Sequence, residues 1–152
     1  RVSGFCYPGG DCTREHRQMV ADAGFDYART IANFHRTLSA DSFRMPTTIQ
    51  YYPHRRSVLL KNFIRRGEWQ KRNGLFRVAV MKGEFMSRLR AMLDFVCLHG
   101  GVFHLWGHSW EFERFDGWRQ LHGFLRYAAE RIPAEGRLNN RELLRYAVAN
   151  SR

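Results

Sequence analysis

Val102-Phe-His-Leu-Trp-Gly-His-Ser-Trp-Glu111 is the stretch on which the fold turns. Within ten residues it gathers two His, two Trp and a Glu around a short apolar run. The run follows Gly100-Gly101 and opens on β-branched and aromatic residues, which predicts a buried strand over Val102 to Trp106 with polar residues collected at its carboxyl end. In α/β folds that end is where active sites are built. His104 and His108 stand four apart, a spacing that on a helix would turn both imidazoles toward one metal ion. On a strand, four residues advance about 13 Å at roughly 3.3 Å each, too far for a shared metal. The strand reading is preferred, and no metal ligand is expected in this chain.

Outward from this run, strands and helices alternate. Ser3 to Tyr7, Phe25 to Ile31 and Thr47 to Tyr51 read as further strands. Between the first two, Asp11 or Thr13 is placed to cap a helix that ends at Gly24. Asn33 to Arg44 has little periodicity and reads as a long loop. Ser57 is placed to cap a helix to about Arg66, with Val58, Leu59 and Phe63 inward. Phe85, Leu89, Met92, Leu93 and Val96 recur at helical spacing and form a core stripe, which Gly100-Gly101 terminates. Asp116 is expected to cap a helix burying Trp118, Leu121, Leu125 and Ala128, and Asn140 to open a last helix through Val148. The alternation predicts an α/β fold of mostly parallel strands covered by helices.

The 152 residues, 44% hydrophobic, suffice for one core and are read as a single domain. No apolar run approaches the ~20 residues of a membrane helix, so no membrane span is expected. Three Cys, at 6, 12 and 97, form no disulfide or zinc-ribbon pattern. The net charge of +11 points to an anionic partner or neighbourhood. The basic residues are spread over His54 to Arg56, Lys61 to Arg72, Arg88 to Arg90 and a basic tail, and no nucleic-acid-binding signature accompanies them. Nucleic acid is therefore a disfavoured partner.

Leu105-Trp106-Gly107-His108 resembles the last block, Leu-x-x-His, of the polysaccharide deacetylases, the NodB-homology or carbohydrate esterase family 4 proteins. Gly4-Phe5-Cys6-Tyr7-Pro8-Gly9-Gly10 is similar to their third block, Arg-x-Pro-Tyr-Gly, and is followed at family-like spacing by a helix and Ala23 to Thr30. The first block, a Thr-Phe-Asp-Asp-like strand end, and the second, a His-x-x-x-His helix, precede the third in the family. Neither is present here, and no Asp-Asp pair occurs anywhere in the sequence. The resemblance therefore implies the C-terminal portion of a distorted (β/α) barrel, without its N-terminal strands and metal-binding blocks.

The implied function is hydrolytic removal of N-acetyl groups from an amino-sugar polysaccharide or glycoconjugate. The divalent metal, zinc in the first instance, belongs to the complete domain; none is expected in this chain alone. His108 matches the His that protonates the departing amine, and Gly9 stands where a backbone N–H serves as oxyanion donor. Leu105 matches the residue lining the acetyl-methyl pocket. Trp106, Trp110 and Glu111 are expected to line the sugar cleft with Tyr7, and Asp41 lies where a fourth-block carboxylate would tune His108.

Two departures stand out. Cys6 replaces the Arg that orients the catalytic Asp in relatives, and a thiol supplies neither the charge nor the planar fork. Arg14 and Arg17 are the substitutes considered. The fourth block, Asp-x-x-Asp-Trp, is not recognisable. Besides the N-deacetylase, two alternatives stand: a noncatalytic glycan-binding relative, and a basic domain that binds nucleic acid or an anionic surface.

Overall fold

The computed structural model describes residues 1–149, with side chains through residue 146. Four short strands are found: β1 (Gly4–Cys6), β2 (Tyr27–Arg29), β3 (Ile49–Gln50) and β4 (Leu105–Trp106). All pair in parallel, β1 with β2 and β3 with β4. The strands thus form two two-stranded sheets, and a parallel bridge joins Arg29 of β2 to Met45, in the segment that leads to β3. The expected alternation is borne out as a mixed α/β fold, although helices dominate and four strands close no barrel among the described residues.

The strands are shorter than the sequence predicts, and at β4 the cause is visible. The His104 N–H donates to the Thr48 hydroxyl at 2.8 Å, while the His104 carbonyl accepts from both Thr48 and Ile49 N–H. A side chain thus takes the place of a ladder partner, and regular pairing begins only at Leu105.

Helix α1 (Arg14–Asp22) begins at Thr13, whose hydroxyl accepts from the His16 N–H at 3.1 Å while the His16 ring accepts from the Thr13 N–H. Of the two caps expected, Thr13 is the one used, and Asp11 pairs with Arg66 instead. Between β3 and β4 run α2 (Arg56–Arg65), α3 (Trp69–Met81) and α4 (Phe85–His99). Helix α2 starts from Arg55, so Ser57 lies inside it and is no cap; Leu59 is buried, Phe63 partly so, and Val58 is exposed. The α4 stripe, Phe85, Leu89, Met92, Leu93 and Val96, is buried as expected. Glu84 caps this helix, accepting from the Met86 N–H at 2.7 Å.

Helix α3 escapes the periodicity because it packs against both α2 and α4 and so carries no single apolar stripe. Its signal is Gly74, where a Cβ would lie 2.8 Å from the Phe95 ring and hold α3 and α4 apart. Beyond β4 come α5 (Ser109–Phe112), α6 (Gly117–Arg131) and α7 (Asn140–Ala149). The expected inner face of α6 is corrected: Trp118 and Leu125 are exposed, while Gly117 and Phe124 are buried and Leu121 and Ala128 pack beside them. The 4-3-4 spacing from 117 through 121 and 124 to 128 is the true stripe. Asp116 has φ +53 and binds Arg119, so its side chain caps nothing.

The strands have two dissimilar faces. Phe103 and Leu105 pack against the α2–α4 core, while Val102 packs with Tyr27, Met45 and Leu143 of α7. By strand alternation, Trp106 points away from the core-packed Leu105, and Arg29 shares the face of Tyr27.

Candidate functional site

The carboxyl ends of all four strands converge. Gly10, just beyond β1, packs so tightly on Ile31 that a Cβ there would meet its side chain at 2.3 Å, and its carbonyl accepts from the Ile31 N–H. Ile31 lines a cavity of about 50 Å³ together with Ile49, Gln50 and Trp106, the residues at the ends of β3 and β4. Asn33, His54, Asn62 and Arg66 supply the polar part of its wall. The cleft thus lies where a parallel sheet places ligands.

Around it runs a chain of hydrogen bonds absent from the sequence reading. Gln50 donates from Nε2 to Glu111 Oε2 at 3.1 Å, and its Oε1 lies 3.0 Å from His54 Nε2. Because the Gln50 oxygen can only accept, this contact fixes the proton of a neutral His54 on Nε2 and leaves Nδ1 free to accept. Burial pushes the His54 pKa below its ordinary value, which favours that neutral form. His54, set aside in the sequence beside Arg55 and Arg56, is therefore part of the cleft wall.

His108 sits between two indoles. Trp106 meets its ring edge-on at 5.4 Å, and Trp110 stacks on it at 4.2 Å with 20° between planes. The Glu111 N–H donates to the His108 carbonyl, which ties the start of α5 to the strand end. Trp110 is largely exposed and presents its outer face to solvent. Gly9 has φ +67, and open space surrounds the position a Cβ would take, so its backbone is approachable.

Three expected site residues are placed elsewhere. Tyr7 is buried, its hydroxyl donating to the Phe43 carbonyl at 3.0 Å; burial pushes its pKa up to about 12. The Asp41 carboxylate is engaged by Arg17 and by the Phe43 N–H, as the cap of a turn over Ser42–Arg44. Leu105 packs into the helical core, on the face opposite Trp106. Arg17, considered as the substitute for a missing Arg at position 6, is thereby already paired.

No group of three His, Cys, Asp or Glu side chains among the described residues is arranged to hold a metal ion. His104 is a poor donor for one. Burial and the neighbouring Arg29 guanidinium push its pKa down to about 3, so the ring is neutral, but the guanidinium would repel a cation. Among the described residues, the donors do not fit a metal centre. The three Cys are free, and no helix among the described residues is long and apolar enough to cross a membrane. No family model, curated protein or solved structure matches the chain.

Proposed function

We propose that the chain is the C-terminal portion of a carbohydrate N-deacetylase barrel, and that the cleft at the carboxyl ends of its strands receives an N-acetylated amino sugar. The observation that carries this reading is His108 clamped between Trp106 and Trp110 at the end of a parallel strand, beside a polar cleft. An imidazole held by two indoles presents a ring nitrogen in a fixed direction, and an indole face is a stacking platform for a sugar ring.

In this reading, the amine leaves as a neutral product only if its nitrogen is protonated as the carbon–nitrogen bond breaks. His108 is the group that delivers that proton. The Gly9 N–H, a main-chain donor on an open loop, meets the oxygen on which negative charge develops. Glu111, oriented by Gln50, accepts from a sugar hydroxyl. The water-activating base and the metal are assigned to the two family blocks absent from this sequence, and no step here is routed through them.

The test joins this chain to a polypeptide carrying those two blocks and measures acetate release from chitin oligomers. His108→Ala is expected to lower kcat by about 10² to 10⁴, as loss of a general acid does, with metal content unchanged. Near-normal kcat in that variant would overturn the assignment. Saturable glycan binding without any turnover would favour a noncatalytic relative, to which Cys6 and the missing fourth block already point.

A further inference from the structure

Among the described residues, three buried side-chain polar atoms have no hydrogen-bond partner: Arg29 Nε, His104 Nδ1 and Trp106 Nε1. Arg29 lies on β2 on the side of Tyr27, Trp106 lies on β4 on the side opposite the core-packed Leu105, and His104 immediately precedes β4. His104 lies close enough to Arg29 to feel its charge, and Trp106 follows two residues on, ~6.6 Å along the strand. Buried polar groups are rarely left unpaired, so three among these strands mark a place built for something else.

The chemistry of the three narrows what that is. Arg29 and Trp106 can only donate, and a neutral His104 can donate from Nδ1. The complement is an acceptor with at least two oxygens. Among the described residues, Arg29 also carries a charge with no carboxylate beside it. Its Nη1 donates to Asn140 Oδ1 at 3.2 Å, and no carboxylate among the described residues pairs with it. A half-buried guanidinium without an anion pays desolvation with little return, and the planar fork of Arg is matched best by a carboxylate.

On the β1 side the neighbour of Arg29 is short. Arg29 is the register partner of Cys6, so the two side chains point the same way from strands roughly 4.8 Å apart. A thiol leaves space beside the guanidinium that a long side chain would fill. Arg29, His104 and Trp106 are half-buried residues, and the three unpaired atoms are themselves covered, so a ligand engages them by displacing the groups that lie over them.

The geometry points to a carboxylate-binding site here, with Arg29 as the charged anchor and His104 and Trp106 as neutral donors. The carboxylate is either a free small acid of the acetate class or an Asp or Glu side chain brought by a partner polypeptide. The site rests on these residues alone and stands whether or not the chain belongs to a deacetylase.

The test is a titration of the ¹⁵N-labelled chain with sodium acetate and, separately, with a blocked aspartate whose backbone ends are capped as amides. Sodium chloride at equal ionic strength is the reference. The expected result is a saturable movement of the Arg29 Nε–H and Trp106 indole N–H signals with at least one carboxylate and none with chloride. In Arg29→Gln, the Trp106 response should need about tenfold more carboxylate, because the charged fork is gone. Tighter binding of acetate identifies a free acid; tighter binding of the blocked aspartate identifies a side chain. Absence of a saturable response to both in the unsubstituted chain overturns the site, as does an Arg29→Gln variant that keeps a dispersed spectrum and responds unchanged.

Discussion

The helical layer buries arginine and the α7-facing side of the strands half-buries it, and they treat it in opposite ways. Arg72 on α3 is fully buried, yet its guanidinium donates to the carbonyls of Asn33, Asn62, Phe63 and Gly67 and to the Asn33 side chain. Arg88 on α4 likewise donates to the carbonyls of Ala79, His54 and Lys82. Both act as staples, tying helix ends and a loop into the core. Arg29 on β2 makes one bond to Asn140 and leaves Nε unpaired. A satisfied buried charge holds a fold together, and an unsatisfied one is where we propose that a ligand binds.

The difference predicts unequal responses to removal. Arg72→Ala should destabilise the chain by about 3–5 kcal/mol in urea unfolding, because it strands several buried carbonyl oxygens and removes a cation packed on the Phe34 and Phe63 rings. Arg29→Met should change stability by under about 1 kcal/mol, or raise it, since it removes a half-buried charge that has one hydrogen bond and no carboxylate partner among the described residues. Equal losses at the two positions would break the comparison.

Acid should act on both regions through buried neutral His residues. Burial is the first cause that lowers the pKa of His35, to about 4, and of His104, to about 3. Each titrates near 6.5 when unfolded, so the unfolded chain takes up the proton first. Stability should be fully present above pH 6.5 and fall as pH drops from there toward 4, in unfolding midpoints measured across that window. His35→Gln should flatten the slope. A slope that is unchanged in that variant would remove His35 from the cause.

A smaller effect belongs to the edge of the sheet region. Thr13→Ala should cost about 1 kcal/mol, the usual value of an N-cap, and fray α1 without touching the helical layer.

Much of this layout was legible in the sequence. The α4 stripe, the long loop after β2 and the strand before His108 follow from periodicity and glycine placement, because each has one buried face or a clear stop. Helix α3 was not legible, since burial on two sides erases the stripe, and the α6 face was misread because Trp118 and Leu125 look inward by composition while Phe124 fills the core. At the site, His108 with its flanking indoles could be read from one stretch, whereas the Gln50–His54–Glu111 chain and the pairing of Cys6 with Arg29 are long-range. Such contacts depend on strand register, which a single sequence does not state.

The four tryptophans provide the most direct test. Trp106 and Trp110 flank His108, while Trp69 and Trp118 stand exposed on α3 and α6. Their four indole N–H signals resolve the two regions within one spectrum. Titration of the ¹⁵N-labelled chain with chitin oligosaccharides should move the Trp106 and Trp110 signals in a saturable way and leave Trp69 and Trp118 in place. Movement of Trp69 or Trp118 alone, or of none of the four, would contradict a sugar cleft at the carboxyl ends of the strands.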